Sequence, residues 1–139
     1  RMTLAEELTL ARRYLNIEAL RLGDRLQGEW DMDSVPPDTR VPPLILQPLL
    51  ENAIYHGIEP LPEGGLIRVT GAVGHGMVEI TITNPVTGQD GGSHEGNRIA
   101  QDNIRQRLGL AFGARAGLEV VGSADDYRVS IRFPETQPS

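Results

Sequence analysis

The chain has 139 residues, with 19 acidic and 13 basic side chains, a net charge of −6 and no cysteine. That length suits one domain with a hydrophobic core, and without Cys there is no disulfide, no cysteine-held zinc and no thiol nucleophile. Every basic residue is arginine, which excludes a P-loop lysine, a protein-kinase strand lysine and a Schiff base, while the acidic balance disfavours a nucleic-acid backbone binder.

The sequence opens at Arg1 and moves straight into a helical pattern, as a piece of a longer protein would. Thr3-Leu4-Ala5-Glu6 has capping-box spacing, and Leu4, Leu8, Ala11, Leu15 and Leu22 form an apolar stripe that predicts a helix stopped by Gly23. Arg25 to Met32 alternates through Leu26, Trp30 and Met32 and predicts a strand, followed by a loop over Pro36 to Arg40. The longest mostly apolar stretch, Val41 to Leu50, is interrupted by prolines and too short to span a bilayer, and no signal-peptide pattern opens the sequence. A second helix is expected from Pro43 to His56, ended by Gly57. Pro48 inside it is expected to leave one carbonyl unbonded and to bend the first turns.

Two alternating runs follow, Ile67, Val69 and Val73 on the first and Val78, Ile80 and Ile82 on the second. The Gly74-His75-Gly76 turn between them predicts a hairpin with one buried face. Asn84 to Asn97 reads as a long polar loop, in which Gln89 to Gly96 has the composition of a flexible insert. A third helix is expected from about Ile99 to Phe112, with Ala100, Ile104, Leu108 and Ala111 inward and Gly113 as its cap. Leu118 to Val121 and Tyr127 to Phe133 form a closing hairpin, and Pro134 to Ser139 is a polar tail expected to be disordered. The sum is an α+β fold, a two-layer α/β sandwich with three helices on one face of a mixed, mostly antiparallel sheet.

The segment that carries chemistry is Leu46-Gln47-Pro48-Leu49-Leu50-Glu51-Asn52-Ala53-Ile54-Tyr55-His56-Gly57. On a helix, Leu46, Leu49, Leu50, Ala53 and Ile54 cover the core side, while Gln47, Glu51, Asn52, Tyr55 and His56 gather on the other. An acid, two amides and an imidazole on one stripe exceed what solvating a helix requires. This segment resembles the N-box of the Bergerat ATP-binding fold, in the form seen in LytS/AlgZ-type sensor histidine kinases. The stretches Tyr14-Leu15-Asn16-Ile17-Glu18 and Arg21-Leu22-Gly23-Asp24-Arg25-Leu26 are similar to that family's connecting helix. Val41 to Pro48 leads into the N-box as the family does, and Asn103-Ile104-Arg105-Gln106-Arg107-Leu108 with Phe112-Gly113 resembles its last helix. Together these cover nearly the whole chain in order.

The resemblance implies a set of roles. Asn52 would be the Mg²⁺ ligand, bridging the metal to the phosphates of ATP, since such an ion needs only one or two protein oxygens. Glu51 would be the catalytic residue, either accepting a proton from the attacking group or holding an inner-sphere water. Tyr55 and His56 would lie along the nucleotide, with Tyr55 contributing a hydroxyl where the family often has a basic residue. Asn84, where most relatives have an aspartate, would accept a hydrogen bond from the adenine amino group. The phosphate cradle would include Gly96, Arg98 and Asn103 at the start of the last helix. Arg98 stands where a glycine is expected, and it would either fork onto a phosphate or close the cradle.

The function so implied is that of the catalytic ATP-binding domain of a two-component histidine kinase, with ATP and Mg²⁺ as cofactors. Its γ-phosphoryl group would pass to a histidine on upstream helices of a homodimer, then to a response regulator. The alternative is a pseudokinase or regulatory module with a degenerate glycine box; a third class is a nucleotide-free interaction domain. No direct nucleic-acid contact is expected, and a membrane only through a region before Arg1, on the cytoplasmic side of a bacterial inner membrane. The expected division is 1–24 connecting helix, 25–134 catalytic domain and 135–139 tail. His75 and His94 have no zinc-ligand spacing to a second donor. The pairs Glu6-Glu7, Asp31 with Asp33, and Asp125-Asp126 read as cap, strand-end and turn residues, and Ser34, Ser93 and Ser123 lack an elbow motif.

Overall fold

Thr3 caps the first helix as its spacing predicts: the Glu6 N–H donates to Thr3 Oγ1 at 3.2 Å, and the Thr3 N–H donates to Glu6 Oε1 at 2.9 Å. The structure, a computed structural model, describes residues 2–86, 94–123 and 125–135. Helix α1 runs Leu4–Leu22 and ends at Gly23. A two-residue strand β1 (Met2–Thr3) before it pairs antiparallel with β3 (Arg40–Val41). The free amides of Leu4 and Ala5 donate to the carbonyls of Thr39 and Pro37, so the proline loop closes over the helix start.

The main sheet has the order β2-β4-β5-β7-β6. Its strands are β2 (Leu26–Asp31), β4 (Gly65–Gly74), β5 (Met77–Pro85), β6 (Gly117–Gly122) and β7 (Asp126–Pro134). Strand β2 pairs parallel with β4, and every other neighbour is antiparallel. The β4–β5 turn places His75 and Gly76 at φ of 55° and 75°, the left-handed pair that a tight hairpin requires. The register aligns Val69 with Ile82, Ile80 with Ile131 and Val78 with Phe133, all buried on the face toward the helices. Arg68, Glu79, Arg128 and Arg132 occupy the exposed face, the period-2 pattern of a sheet covered on one side.

The second helix departs from expectation at both ends. It begins at Leu46, not Pro43, because Leu44 adopts a left-handed φ of 57° that no helix accommodates. It also does not stop before Gly57. Helix α2 (Leu46–Asn52) continues as a π turn, Ala53–Ile58, in which the Glu59 N–H donates to the Ile54 carbonyl at 2.9 Å. Pro48 therefore sits in the first turn, where its missing N–H costs nothing intrahelical. The carbonyl it would have left unbonded, that of Leu44, accepts from Arg107 Nη1 at 2.9 Å.

Helix α3 runs His94–Phe112, starting earlier than the expected Ile99. Of the polar loop expected over Asn84 to Asn97, His94 to Asn97 are helical, and 87–93 lie outside the described residues, with most of the expected insert. The polar tail is described only to Glu135. Ile104, Leu108 and Phe112 point into the core, with Phe112 stacked on Phe133 at 5.2 Å between ring centroids. Ala100 and Ala111, expected inward, are half-buried, while Gln101 is buried and donates to Tyr127 Oη at 2.6 Å. One hydrophobic core joins all three helices to the sheet. No described helix is long and apolar enough to cross a membrane.

Candidate functional site

Glu51, Asn52 and Tyr55 of the polar stripe face a pocket of about 440 Å³, whereas Gln47 and His56 of the same stripe do not line it. Pro48, Glu51, Asn52, Ile54, Tyr55 and Glu59 line it from α2 and the π turn, Tyr14 and Glu18 from α1, and Ala100 from α3. The site therefore sits where three helices converge.

α1 and the turn Gly23–Arg25 that follows it fix the helix that carries the stripe at both of its ends. At the N-terminal end the Glu7 carboxylate, 2 % exposed, accepts from the backbone amides of Leu44, Ile45 and Leu46 at 3.0, 2.6 and 2.7 Å. These are the amides a helix leaves without intrahelical partners, and a carboxylate there also meets the positive end of the helix dipole. At the C-terminal end Arg25 Nη2 donates to the carbonyls of Glu59 and Leu61, each at 2.9 Å. Arg21 bridges Glu18 at 2.6 Å and Glu59 at 3.2 Å. Glu7 is thus no bland member of an acidic pair, as its neighbours in sequence suggest. The signal that marks it is its place in the helix's apolar stripe, beside Leu4 and Ala11.

Within the pocket, the Asn52 side-chain nitrogen is buried and has no hydrogen-bond partner among the described residues. Such a group costs free energy unless something else satisfies it. Glu51 beside it is exposed, and Tyr55 is 64 % exposed, with its ring edge-on to His56 at 4.8 Å. His56 is half-buried, with Nδ1 buried and without a hydrogen-bond partner among the described residues, and burial holds its pKa below the ordinary histidine value. It is neutral at pH 7. Because the folded form resists a proton that the unfolded chain takes up near pH 6.5, stability is full above that value and is lost as pH falls toward the folded pKa. Thermal unfolding followed by circular dichroism should therefore show Tm dropping between pH 7.5 and 5.5. His56→Gln should flatten that slope.

Asn84 closes the other side of the stripe. It lies at the end of β5 on the inner face, 5 % exposed, and its amide donates to the Pro85 carbonyl at 2.8 Å. Its oxygen is not used by that bond. A β-carbon at Gly57 would overlap the Asn84 side chain, so Gly57 serves close approach of the π turn to β5 and not helix termination. The expected cradle residues are distributed differently from Glu51, Asn52 and Tyr55. Gly96 falls in the first turn of α3, and Arg98 and Asn103 are exposed on that helix. Neither Arg98 nor Asn103 lines the pocket; Ala100 represents α3 among its described lining. Among the described residues no group of three or more His, Cys, Asp or Glu is arranged to hold a metal by itself.

No protein-family model matches the chain. It is 36 % identical to the sensor histidine kinase YesM of Bacillus subtilis over 96 % of this chain and 24 % of that protein. It is 31 % identical to the sensor histidine kinase BtsS of Escherichia coli over 96 % of this chain and 24 % of that one. For the sensor protein LytS of Staphylococcus haemolyticus the identity is 29 %, over 96 % of this chain and 25 % of that protein. The chain thus spans about a quarter of the length of the curated relatives it matches. Its fold resembles the catalytic domain of histidine kinase ThkA with a TM-score of 0.70 at 14 % identity, covering 99 % of this chain and 97 % of that one. The same kinase in complex with the response regulator protein TrrA matches with a TM-score of 0.66 at 14 % identity, over 97 % of this chain and 41 % of that one.

Proposed function

The chain belongs to the LytS-type sensor histidine kinases and has the fold of a histidine kinase catalytic domain, and from this we propose that it binds Mg²⁺-ATP along the α2 stripe. Within the longer protein it presents the γ-phosphoryl group to a histidine on upstream helices of a homodimer, for relay to a response regulator. The observation that carries the reading is the unpartnered Asn52 amide in a pocket walled by three helices.

The residues fit a magnesium ion that arrives with its nucleotide. A hard cation that keeps most of its waters needs one or two protein oxygens and not a prebuilt cage, and Asn52 with Glu51 adjacent supplies that number. Asn52 would hold the ion, which supplies charge neutralisation at the phosphates. Asn84 would accept from the adenine amino group through its side-chain oxygen, which the bond to Pro85 does not use. Gly96, in the first turn of α3, offers a backbone amide of the kind that cradles phosphate. Glu51, exposed at the pocket, has the freedom to take a proton from the attacking imidazole or to hold a water. His56, kept neutral, contributes a hydrogen-bonding edge and no charge. Catalysis in this arrangement is positioning and electrostatic stabilisation.

Titration with a fluorescent ATP analogue, with and without Mg²⁺, tests the reading. Saturable binding that requires the metal is expected. Absence of binding up to millimolar nucleotide would favour the pseudokinase alternative.

A further inference from the structure

The connecting helix carries polar residues that the proposed function leaves without a task. Tyr14 and Glu18 stand one turn apart on α1 and both line the pocket. α1 and the α2 segment run alongside in the same direction, since Glu7 meets Leu44 to Leu46 while Arg21 meets Glu59. Tyr14, midway between, therefore stands level with Glu51 and Asn52 and away from the Gly57 end, where Asn84 lies. On the proposed reading, a nucleotide with its adenine at Asn84 and its phosphates at Asn52 would bring those phosphates level with Tyr14.

We propose that Tyr14 is a further nucleotide-binding residue, its phenol hydrogen donated to an oxygen of the terminal phosphoryl group of ATP. This rests on the reading that the pocket takes Mg²⁺-ATP. Three observations support it. Tyr14 hydrogen-bonds to no described residue that would hold its hydroxyl elsewhere. Its surroundings keep it a donor, because burial, then the carboxylates of Glu18 and Glu51, push its pKa up to about 12. The wall that carries it is braced, since Arg21 ties Glu18 on α1 to Glu59 beyond the π turn and offsets both carboxylates. Tyr55 and the Asn52 amide nitrogen are donors on the α2 side of the pocket, and Tyr14 adds a donor from the α1 side, level with Asn52, for an oxygen that ATP has and ADP lacks.

The test is calorimetric titration of the chain and of Tyr14→Phe with Mg²⁺-ATP and with Mg²⁺-ADP. Phenylalanine keeps the ring packing, so Tm should stay at the wild-type value. The expected result is a roughly tenfold loss for ATP, the worth of one hydrogen bond to a charged group, with ADP affinity changed less than about twofold. Equal losses for the two nucleotides, or no loss for ATP, would overturn the role of Tyr14 while leaving the pocket a nucleotide site. A wild-type chain that binds neither nucleotide would remove both the proposed function and this assignment.

Discussion

Replacing Glu7 with alanine is expected to lower the unfolding free energy by about 3–5 kcal/mol, a large share of the ~5–15 kcal/mol that holds a domain of this size. The change strips the acceptor from three backbone amides at once. Two of those hydrogen bonds are buried, so water cannot replace the carboxylate without opening the α1–α2 contact. Leu44, already in a left-handed conformation, would lose what holds it there. Glu7→Gln keeps one acceptor oxygen and should lose about half as much. Urea unfolding monitored by circular dichroism reads the effect as a lower midpoint with an unchanged slope. A loss below about 1 kcal/mol for the alanine variant would mean that the carboxylate does not hold the helix.

Asn52→Ala should separate binding from stability in the opposite sense. Affinity for Mg²⁺-ATP is expected to fall roughly 10–100-fold, the range for losing a polar contact to a charged partner in a pocket. Stability should change little, because the Asn52 amide nitrogen has no partner among the described residues to lose. Without metal, wild type and variant should bind nucleotide equally weakly. The pair of variants thus assigns Glu7 to building the site and Asn52 to using it.

What the sequence discloses here depends on how local the cause is. The Thr3–Glu6 cap and the tight turn at His75 and Gly76 are set within four residues and were legible. So was the buried face of β4 and β5, since alternation is a period-2 signal. The polar stripe of α2 was legible because helical spacing gathers Glu51, Asn52 and Tyr55 on one side, where the pocket now lies. The parallel pairing of β2 with β4 was not, because the intervening crossover decides it. Nor was the role of Glu7, whose partners stand 37 to 39 positions away. The π turn escaped for a different reason: Gly57 reads as a helix stop, and only the nearness of Asn84 reveals it as a point of close packing. Gln101 looks misplaced on an inward face until Tyr127 supplies its partner from β7.

The chemistry is set by the same geometry. A helix gripped at its start by Glu7 and at its end by Arg25 presents Asn52 at a fixed height against α1 and α3. The absence of lysine, which excludes other ways of holding ATP, is compatible with the proposed one, in which a metal ion, backbone amides and neutral donors would share the phosphates.

The most direct test is a Mg²⁺-ATP titration of isotopically labelled chain followed by amide NMR. The account predicts saturable shifts at Asn52, His56, Gly57, Asn84 and the first turn of α3, with Arg68, Glu79 and Arg132 on the exposed sheet face unmoved. Saturable shifts confined to that sheet face, or none at millimolar nucleotide with Mg²⁺ present, would contradict it.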